Sequence, residues 1–113
     1  MPRAGRLTTT ADFRRTYAAG RRISTRAVVV HVNVTDEPRP ARIGVSAGVS
    51  TGNAVERNRS KRRLREAIRP LREALGGGVD AVFVATAATR SCAFQELVDS
   101  ARESAAKAGA LDG

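Results

Sequence analysis

The sequence predicts a small two-layer α+β sandwich with a mixed sheet, in the element order α-β-β-β-α-β-α. Two observations carry this prediction. β-branched apolar runs alternate with segments whose apolar residues recur at helical spacing, and a proline-containing turn joins two of the runs into a hairpin. The length of 113 residues suits one domain, which we expect to span residues 1–113 with an ordered core at about 6–108.

The first predicted helix lies in TTTADFRRTYAAG, residues 8–20. Thr9 or Thr10 is a suitable N-cap for it. Phe13 and Tyr17 are four residues apart and therefore share one helix face. Such a pair either anchors the helix to the core or offers a stacking surface to unpaired bases. For Phe13 the residues alone favour the core anchor.

A hairpin follows the first helix, and a shorter strand at 21–24 is possible before it. RAVVVHVNV (26–34) is a continuous β-branched run, TDEPRP (35–40) is a turn with two prolines, and ARIGVSAGV (41–49) returns as the second strand. Strict alternation places His31 on the more polar face of its strand, which permits a binding groove there.

The strongest helix signal is AVERNRSKRRLREAIR, from Ala54 to Arg69. Asn53 and Glu56 match a capping box, and Pro70 should kink or end the helix. One arc of the helix is apolar and can face the sheet, whereas most other positions are basic. Seven of its residues carry positive charge: Arg57, Arg59, Lys61, Arg62, Arg63, Arg65 and Arg69.

A buried strand is predicted at 79–86 and a closing helix within 91–109, with the chain frayed from Gly109 onward. The second hairpin strand, the basic helix and this buried strand form a strand–helix–strand unit. The two strands of such a unit should be neighbours in the sheet.

The formal net charge is +9, and the charge is segregated along the chain. Residues 1–72 carry 17 basic and 5 acidic side chains, whereas residues 73–113 carry 3 basic and 6 acidic ones. Segregated basicity indicates a binding surface for a polyanion. Nucleic acid is the first candidate and an anionic membrane surface the second, and composition does not choose RNA over DNA.

Catalysis by protein side chains is not predicted. One Cys and one His cannot form a zinc site of the usual type, and no nucleotide-binding, metalloprotease or hydrolase motif occurs. No apolar run is long enough to span a bilayer, and no signal-peptide pattern opens the chain. The single Cys92 fits a reducing compartment. We therefore expect a soluble protein that is not exported.

GNAVERNRSKRRLREA (52–67) resembles the arginine-rich signature of the bacterial ribonuclease P protein component. The R-N-R core of that signature is Arg57, Asn58 and Arg59. Weaker landmarks, namely RL, DF, RIG and DAVFVA, stand at the expected distances, so the resemblance covers about residues 6–100.

The resemblance implies a function that composition could not supply. Ribonuclease P removes the 5′ leader of precursor tRNA, and its catalyst is the RNA subunit with bound Mg²⁺. The protein binds that RNA and the leader, one protein per RNA, in the cytoplasm. The implied fold is ribosomal-protein-like, with a left-handed βαβ crossover. No catalytic residue on the protein is implied.

The family pattern also implies the site residues. A cleft between the first helix, the sheet and the basic helix would hold the leader, with Phe13, Tyr17 and His31 along it. The residues that match the part of the motif that meets the RNA subunit are Arg57, Asn58, Arg59, Lys61, Arg62, Arg63 and Arg65.

The chain departs from the family pattern at several positions. Relatives usually carry S-K-K where this chain has Gly48, Val49 and Ser50, so two cations near the start of the basic helix are missing. Ser60 replaces an apolar residue on the inward arc. Arg90 is a candidate replacement for an arginine that commonly follows the last strand. Two alternatives stay open: a stand-alone RNA-binding or ribosome-associated module, and a nucleoid-type DNA-binding protein.

Overall fold

The computed structural model describes residues 4–112, and in them three helices pack on one five-stranded sheet. The predicted element order is confirmed, and a two-residue strand that the sequence did not predict precedes it. The strands are β1 (Gly5–Arg6), β2 (Arg21–Ser24), β3 (Val28–Val34), β4 (Arg42–Ser46) and β5 (Val79–Ala85). The helices are α1 (Thr10–Ala18), α2 (Ala54–Ile68) and α3 (Phe94–Lys107).

The sheet is mixed, with the strand order β1-β4-β5-β3-β2. β3 runs antiparallel to β2 and β5, whereas β4 runs parallel to β1 and β5. The predicted hairpin of β3 and β4 is therefore wrong, because β5 lies between these two strands, and β3 forms its hairpin with β2 instead. β4 and β5 are neighbours on either side of α2 in the chain, as predicted for a strand–helix–strand unit. The handedness of that crossover stays a prediction.

One face of the sheet carries the core. Val30 pairs with Phe83 across β3 and β5, and both side chains are completely buried. Leu64 of α2 and Leu97 of α3 lie in the same apolar cluster, also completely buried. Alternation along the strands therefore directs the apolar residues of β3 and β5 against α2 and α3.

The opposite face is covered in part by α1. Because side chains alternate along β3, His31 points away from the core that Val30 enters. The ring of Tyr17 in α1 lies 4.7 Å from that of His31, centroid to centroid, which places α1 on this second face. α1 therefore packs on the face of the sheet opposite to α2 and α3 and covers part of it.

A glycine in β4 lets α1 approach the sheet closely. A Cβ atom at Gly44 would lie 2.7 Å from the ring of Phe13, so no larger residue fits there without moving the ring. The Thr9 hydroxyl caps α1, accepting a hydrogen bond from the backbone amide of Asp12 at 3.1 Å. The Phe13 ring therefore anchors α1 on the sheet, which is the role that the residues alone favoured.

The predicted capping box of α2 is confirmed. The Asn53 side chain accepts from the amide of Glu56 at 2.9 Å, and the Glu56 carboxylate accepts from the amide of Asn53 at 3.0 Å. The α-helix ends at Ile68, and Arg69–Glu73 continue as a 3₁₀ turn that includes Pro70. The proline ends the α-helix because its ring excludes the interior of one.

A buried ionic cluster joins α1 to the sheet. Asp80 of β5 is 1% exposed and accepts hydrogen bonds from two guanidinium groups, at 2.9 Å from Arg42 and at 3.0 and 3.1 Å from Arg39. Arg42 also bonds Asp12 of α1 at 3.2 Å. Its hydrogen bonds with Asp80 raise the pKa of the Arg42 guanidinium. Asp12 and Asp80 are thus bridged by one arginine.

The C-terminal segment differs from its prediction. Fraying was expected from Gly109 onward, but Ala110 is completely buried and Leu111 forms a bridge with Leu75. The amide of Asp112 also donates to the carbonyl of Ala74 at 2.7 Å. Small residues carry no periodic pattern that would have indicated this packing against the 3₁₀ turn after α2.

One buried hydroxyl in α2 lacks a partner. Within residues 4–112, Ser60 Oγ is the buried side-chain polar atom that makes no hydrogen bond. Ser60 is completely buried on the apolar arc of the helix, among residues such as Leu64. A buried hydroxyl without a partner costs about 1–3 kcal/mol.

We expect Asp80→Asn to lower the free energy of unfolding by roughly 3 kcal/mol, because breaking a buried ion pair leaves its partners without compensation. The matched control is Glu37→Gln, which removes an exposed carboxylate bonded to the same Arg39 and should cost less than about 1 kcal/mol. Urea denaturation of both variants measures the difference. Equal losses in the two variants would contradict the importance of the buried carboxylate.

Ser60→Ala should raise the free energy of unfolding by about 1 kcal/mol, since it removes the unpartnered hydroxyl and improves helix propensity. Ser104→Ala is the control, because the Ser104 hydroxyl is equally buried but donates to the carbonyl of Ala101 at 3.1 Å. The same denaturation experiment should show no gain for that variant. A loss of stability in Ser60→Ala would show that the hydroxyl has a partner in solution.

Candidate nucleic-acid interface

The basic side chains of α2 lie on two flanks of its buried apolar stripe. At 100° per residue, one flank carries Lys61, Arg62 and Arg65, and the other carries Arg59 and Arg63. Arg59, Arg62 and Arg65 are exposed, whereas Lys61 and Arg63 are half-buried. α2 therefore offers two separate cationic surfaces rather than one.

The first flank borders a groove of about 700 Å³ that α2 forms with β4 and the start of α1. Backbone and side chains of Ile43–Val45 form its floor, and the ring of Phe13 closes one side. Glu66, the carboxylate of the groove, bonds Arg69 at 2.7 Å. Five arginines line this groove: Arg6, Arg62, Arg65, Arg69 and Arg72.

Three of those arginines were not among the predicted site residues. Arg69 and Arg72 continue the cationic flank of α2 through the 3₁₀ turn, three residues apart, so the helical spacing could have indicated them. Arg6 arrives from β1, which pairs with β4 far along the chain. No local pattern in the sequence could have placed Arg6 beside Arg62.

Two of the predicted RNA-binding arginines also form hydrogen bonds with backbone carbonyls of the protein. Arg63 donates to the carbonyl of Thr89 at 2.7 Å, beyond the end of β5. Arg57 donates to the carbonyl of Gly52 at 3.1 Å. Each guanidinium keeps further donors for a ligand, but its position is fixed by these contacts. Asn58 is exposed next to Arg57.

The start of α2 receives a cation from a distant part of the chain. Val49, one of the positions where the resemblance implies a basic residue, is 83% exposed. Arg90, from the turn before α3, donates to the carbonyl of Thr51 at 2.8 Å and lies 3.3 Å from the Glu56 carboxylate. A guanidinium paired with Glu56 therefore lies at this end of α2. The sequence did not predict this position, because Arg90 was a candidate replacement for an arginine after the last strand.

Three predicted ring-bearing residues come together on the second face of the sheet. Ring centroids are 6.5 Å apart for Phe13 and Tyr17, and 4.7 Å apart for Tyr17 and His31, which meet edge to face. Tyr17 is 40% exposed. We call these three rings the aromatic cleft, and we call the groove lined by the five arginines the arginine groove. Phe13 belongs to both.

The surroundings of His31 lower the pKa of its imidazole. Burial lowers the pKa of His31 below its ordinary value of 6.5, and the positive charge of Arg22 on the neighbouring strand β2 lowers it further. A lowered pKa favours the uncharged form of the imidazole.

A sequence model of the family described as Ribonuclease P matches residues 1–109 of this chain. The chain belongs to the ribonuclease P protein family. The ribonuclease P protein component of Symbiobacterium thermophilum is 41% identical over 111 residues, which cover 98% of this chain and 96% of that protein. The component from Gluconacetobacter diazotrophicus is also 41% identical, over 95% of this chain and 93% of its own length.

Solved structures agree with this assignment. The ribonuclease P protein of Staphylococcus aureus superposes with a TM-score of 0.79 at 27% identity, covering 96% of this chain and 99% of that one. The protein of Thermotoga maritima has a TM-score of 0.72 at 22% identity and shares the fold. The chain is thus a ribonuclease P protein component. The alternatives of a stand-alone RNA-binding module and a DNA-binding nucleoid protein find no support in these relatives.

Of the helices in residues 4–112, none is both long and apolar enough to cross a membrane.

The pKa of His31 is open to direct measurement, because the chain has one histidine and hence one imidazole C2 proton signal. We expect an NMR titration to give a value below 6.5, and Arg22→Gln to raise it by removing the nearby charge. Since the unfolded state then binds the proton more tightly, stability should fall as pH drops from about 6.5 through the folded pKa. A measured value above 6.5 would contradict the burial of the ring.

Proposed function

We propose that this protein binds the RNA subunit of ribonuclease P through α2 and the 5′ leader of precursor tRNA through the aromatic cleft. In this role it assists the Mg²⁺-dependent removal of the leader. The observation that supports the proposal most strongly is the shared position of Phe13. It joins the arginine groove to the aromatic cleft, so that one continuous surface offers phosphate contacts and then base contacts.

The phosphate contacts follow from charge. Each arginine that neutralises a phosphate releases condensed counterions, which drives association and makes it dependent on salt. The groove places five arginines and one glutamate around a space of about 700 Å³. We assign RNA-subunit binding to the predicted residues of α2 together with Arg6, Arg69 and Arg72. The guanidinium groups of Arg57 and Arg63 are already positioned before RNA binds, by their hydrogen bonds to the carbonyls of Gly52 and Thr89.

The leader contacts follow from stacking. Leaders are single-stranded, and an exposed aromatic face stacks on any base, because every base has a π-face. Tyr17 and His31 supply such faces, and the ring of Phe13 lies beside that of Tyr17 on the same helix. A cleft of this kind recognises the presence of a leader rather than its sequence. It would therefore favour precursor over mature tRNA.

The bond cleavage belongs to the RNA in this proposal. Mg²⁺ would be bound mainly by the RNA subunit and would activate the attacking water there. Across residues 4–112, no three His, Cys, Asp or Glu side chains group together in a way that could hold a metal ion. The protein contributes by neutralising phosphates, which reduces repulsion between the two RNAs and lowers the Mg²⁺ concentration that they need. We propose a monomeric protein, one per RNA, acting in the cytoplasm.

Tyr17→Ala should weaken binding of precursor tRNA to the reconstituted holoenzyme about 5- to 10-fold, since one base-stacking contact contributes roughly 1–3 kcal/mol. Binding of mature tRNA, which has no leader, should not change. Filter binding or fluorescence anisotropy with both tRNAs measures this selectivity.

Tyr17→Phe keeps the ring and serves as the matched control, which should bind precursor tRNA within twofold of the unchanged protein. Because Tyr17 is 40% exposed, we expect both variants to fold like the unchanged protein, and melting curves check this. An equal loss of affinity for precursor and mature tRNA in Tyr17→Ala would refute the leader-binding role.

A further inference from the structure

One aromatic residue has no part in the core or in the leader cleft. The chain has three Phe, one Tyr and no Trp. Phe83 is completely buried in the core, and Phe13 and Tyr17 form the cleft. The fourth, Phe94, begins α3 and remains 45% exposed. A single exposed ring is not unusual, so its neighbours decide whether it can serve as a binding site.

Phe94 lies beside the second cationic flank of α2. The guanidinium carbon of Arg63 is 5.8 Å from the centre of the Phe94 ring, within the range of a cation–π contact. Arg63 is held in this position by its hydrogen bond to the carbonyl of Thr89 at 2.7 Å and by a contact of 3.8 Å with the Cys92 sulfur. The planar guanidinium and the ring are therefore preorganised as a pair.

The surroundings of this pair favour a polyanion. Arg59 precedes Arg63 by one helical turn on the same flank and is exposed. The neighbouring carboxylates are already paired, because Glu56 contacts Arg90 at 3.3 Å and Glu96 contacts Arg26 at 3.0 Å. An aromatic ring next to cations, with the carboxylates of Glu56 and Glu96 already paired, matches the chemistry of sites that stack unpaired bases.

We propose that Phe94 and Arg63 form a second stacking site, which takes one unpaired base of the ribonuclease P RNA, while Arg59 contacts an adjoining phosphate. This inference rests on the proposed function for the identity of the RNA. The site is distinct from the leader cleft, because α3 packs on the core face of the sheet and Tyr17 lies on the other. α2 would then be held by RNA on both flanks.

A tryptophan at position 94 gives a direct readout, since the chain has no other tryptophan. Phe94→Trp should lose at least a third of its fluorescence when the ribonuclease P RNA is added, because stacking on a base quenches indole emission. Val34→Trp is the control. Val34 is 44% exposed at the end of β3, outside both proposed RNA surfaces, and its tryptophan should not be quenched.

Measurements of RNA affinity at several salt concentrations distinguish a stacking contact from apolar packing and from a phosphate contact. Phe94→Leu keeps an apolar side chain and should weaken RNA-subunit binding about 5-fold with an unchanged salt slope, whereas Phe94→Tyr should stay within twofold. Arg59→Gln should instead flatten the salt slope by about one ion. Melting curves of each variant report folding separately.

Quenching of Phe94→Trp together with the loss in Phe94→Leu would support the stacking site. Absence of quenching, or full RNA affinity in Phe94→Leu, would overturn it, even where the protein still stimulates leader removal. A protein that does not bind the RNA subunit at all would instead overturn the proposed function. The two failures are therefore distinguishable.

Discussion

The functional surface depends on one buried carboxylate. Asp80 is nearly inaccessible to solvent and is bonded by Arg39 and Arg42, and Arg42 extends this bonding to Asp12 in the first turn of α1. The pair of arginines is needed because an unpaired charge at this depth would be strongly unfavourable. The bridge fixes where α1 begins on the sheet. The rings of Phe13 and Tyr17, one and five residues after Asp12, are placed as a consequence.

The positive charge of α2 destabilises the helix slightly in the free protein. Lys61–Arg65 and Arg65–Arg69 are like-charge pairs one turn apart, each unfavourable by about 0.2–0.5 kcal/mol. The capping box and the buried stripe around Leu64 stabilise the helix despite them. The exposed basic side chains of α2 lie on two flanks, one along the arginine groove and the other beside Phe94. A phosphate backbone relieves the repulsion, so the free protein carries a small strain that RNA binding removes.

The parts of the fold that local chemistry determines could be predicted from the sequence. The capping box of Asn53 and Glu56, the stop at Pro70 and the alternation around His31 each depend on neighbours in the chain. The rest depends on contacts between distant segments. β1 is too short to show a pattern, and Arg6 reaches the groove through its pairing with β4. Arg63 matched the RNA-binding motif, but its hydrogen bond to the carbonyl of Thr89 could not be predicted, because only the folded chain brings these residues together.

The central claim is that this protein works as the subunit that helps an RNA enzyme remove tRNA leaders. The most direct measurement is kcat/KM for leader removal from a precursor tRNA by a bacterial ribonuclease P RNA at low Mg²⁺, with and without the protein. We predict stimulation by the protein, and none by an unrelated protein of equal net charge. Tight RNA binding without stimulation, repeated with the cognate RNA, would contradict the claim.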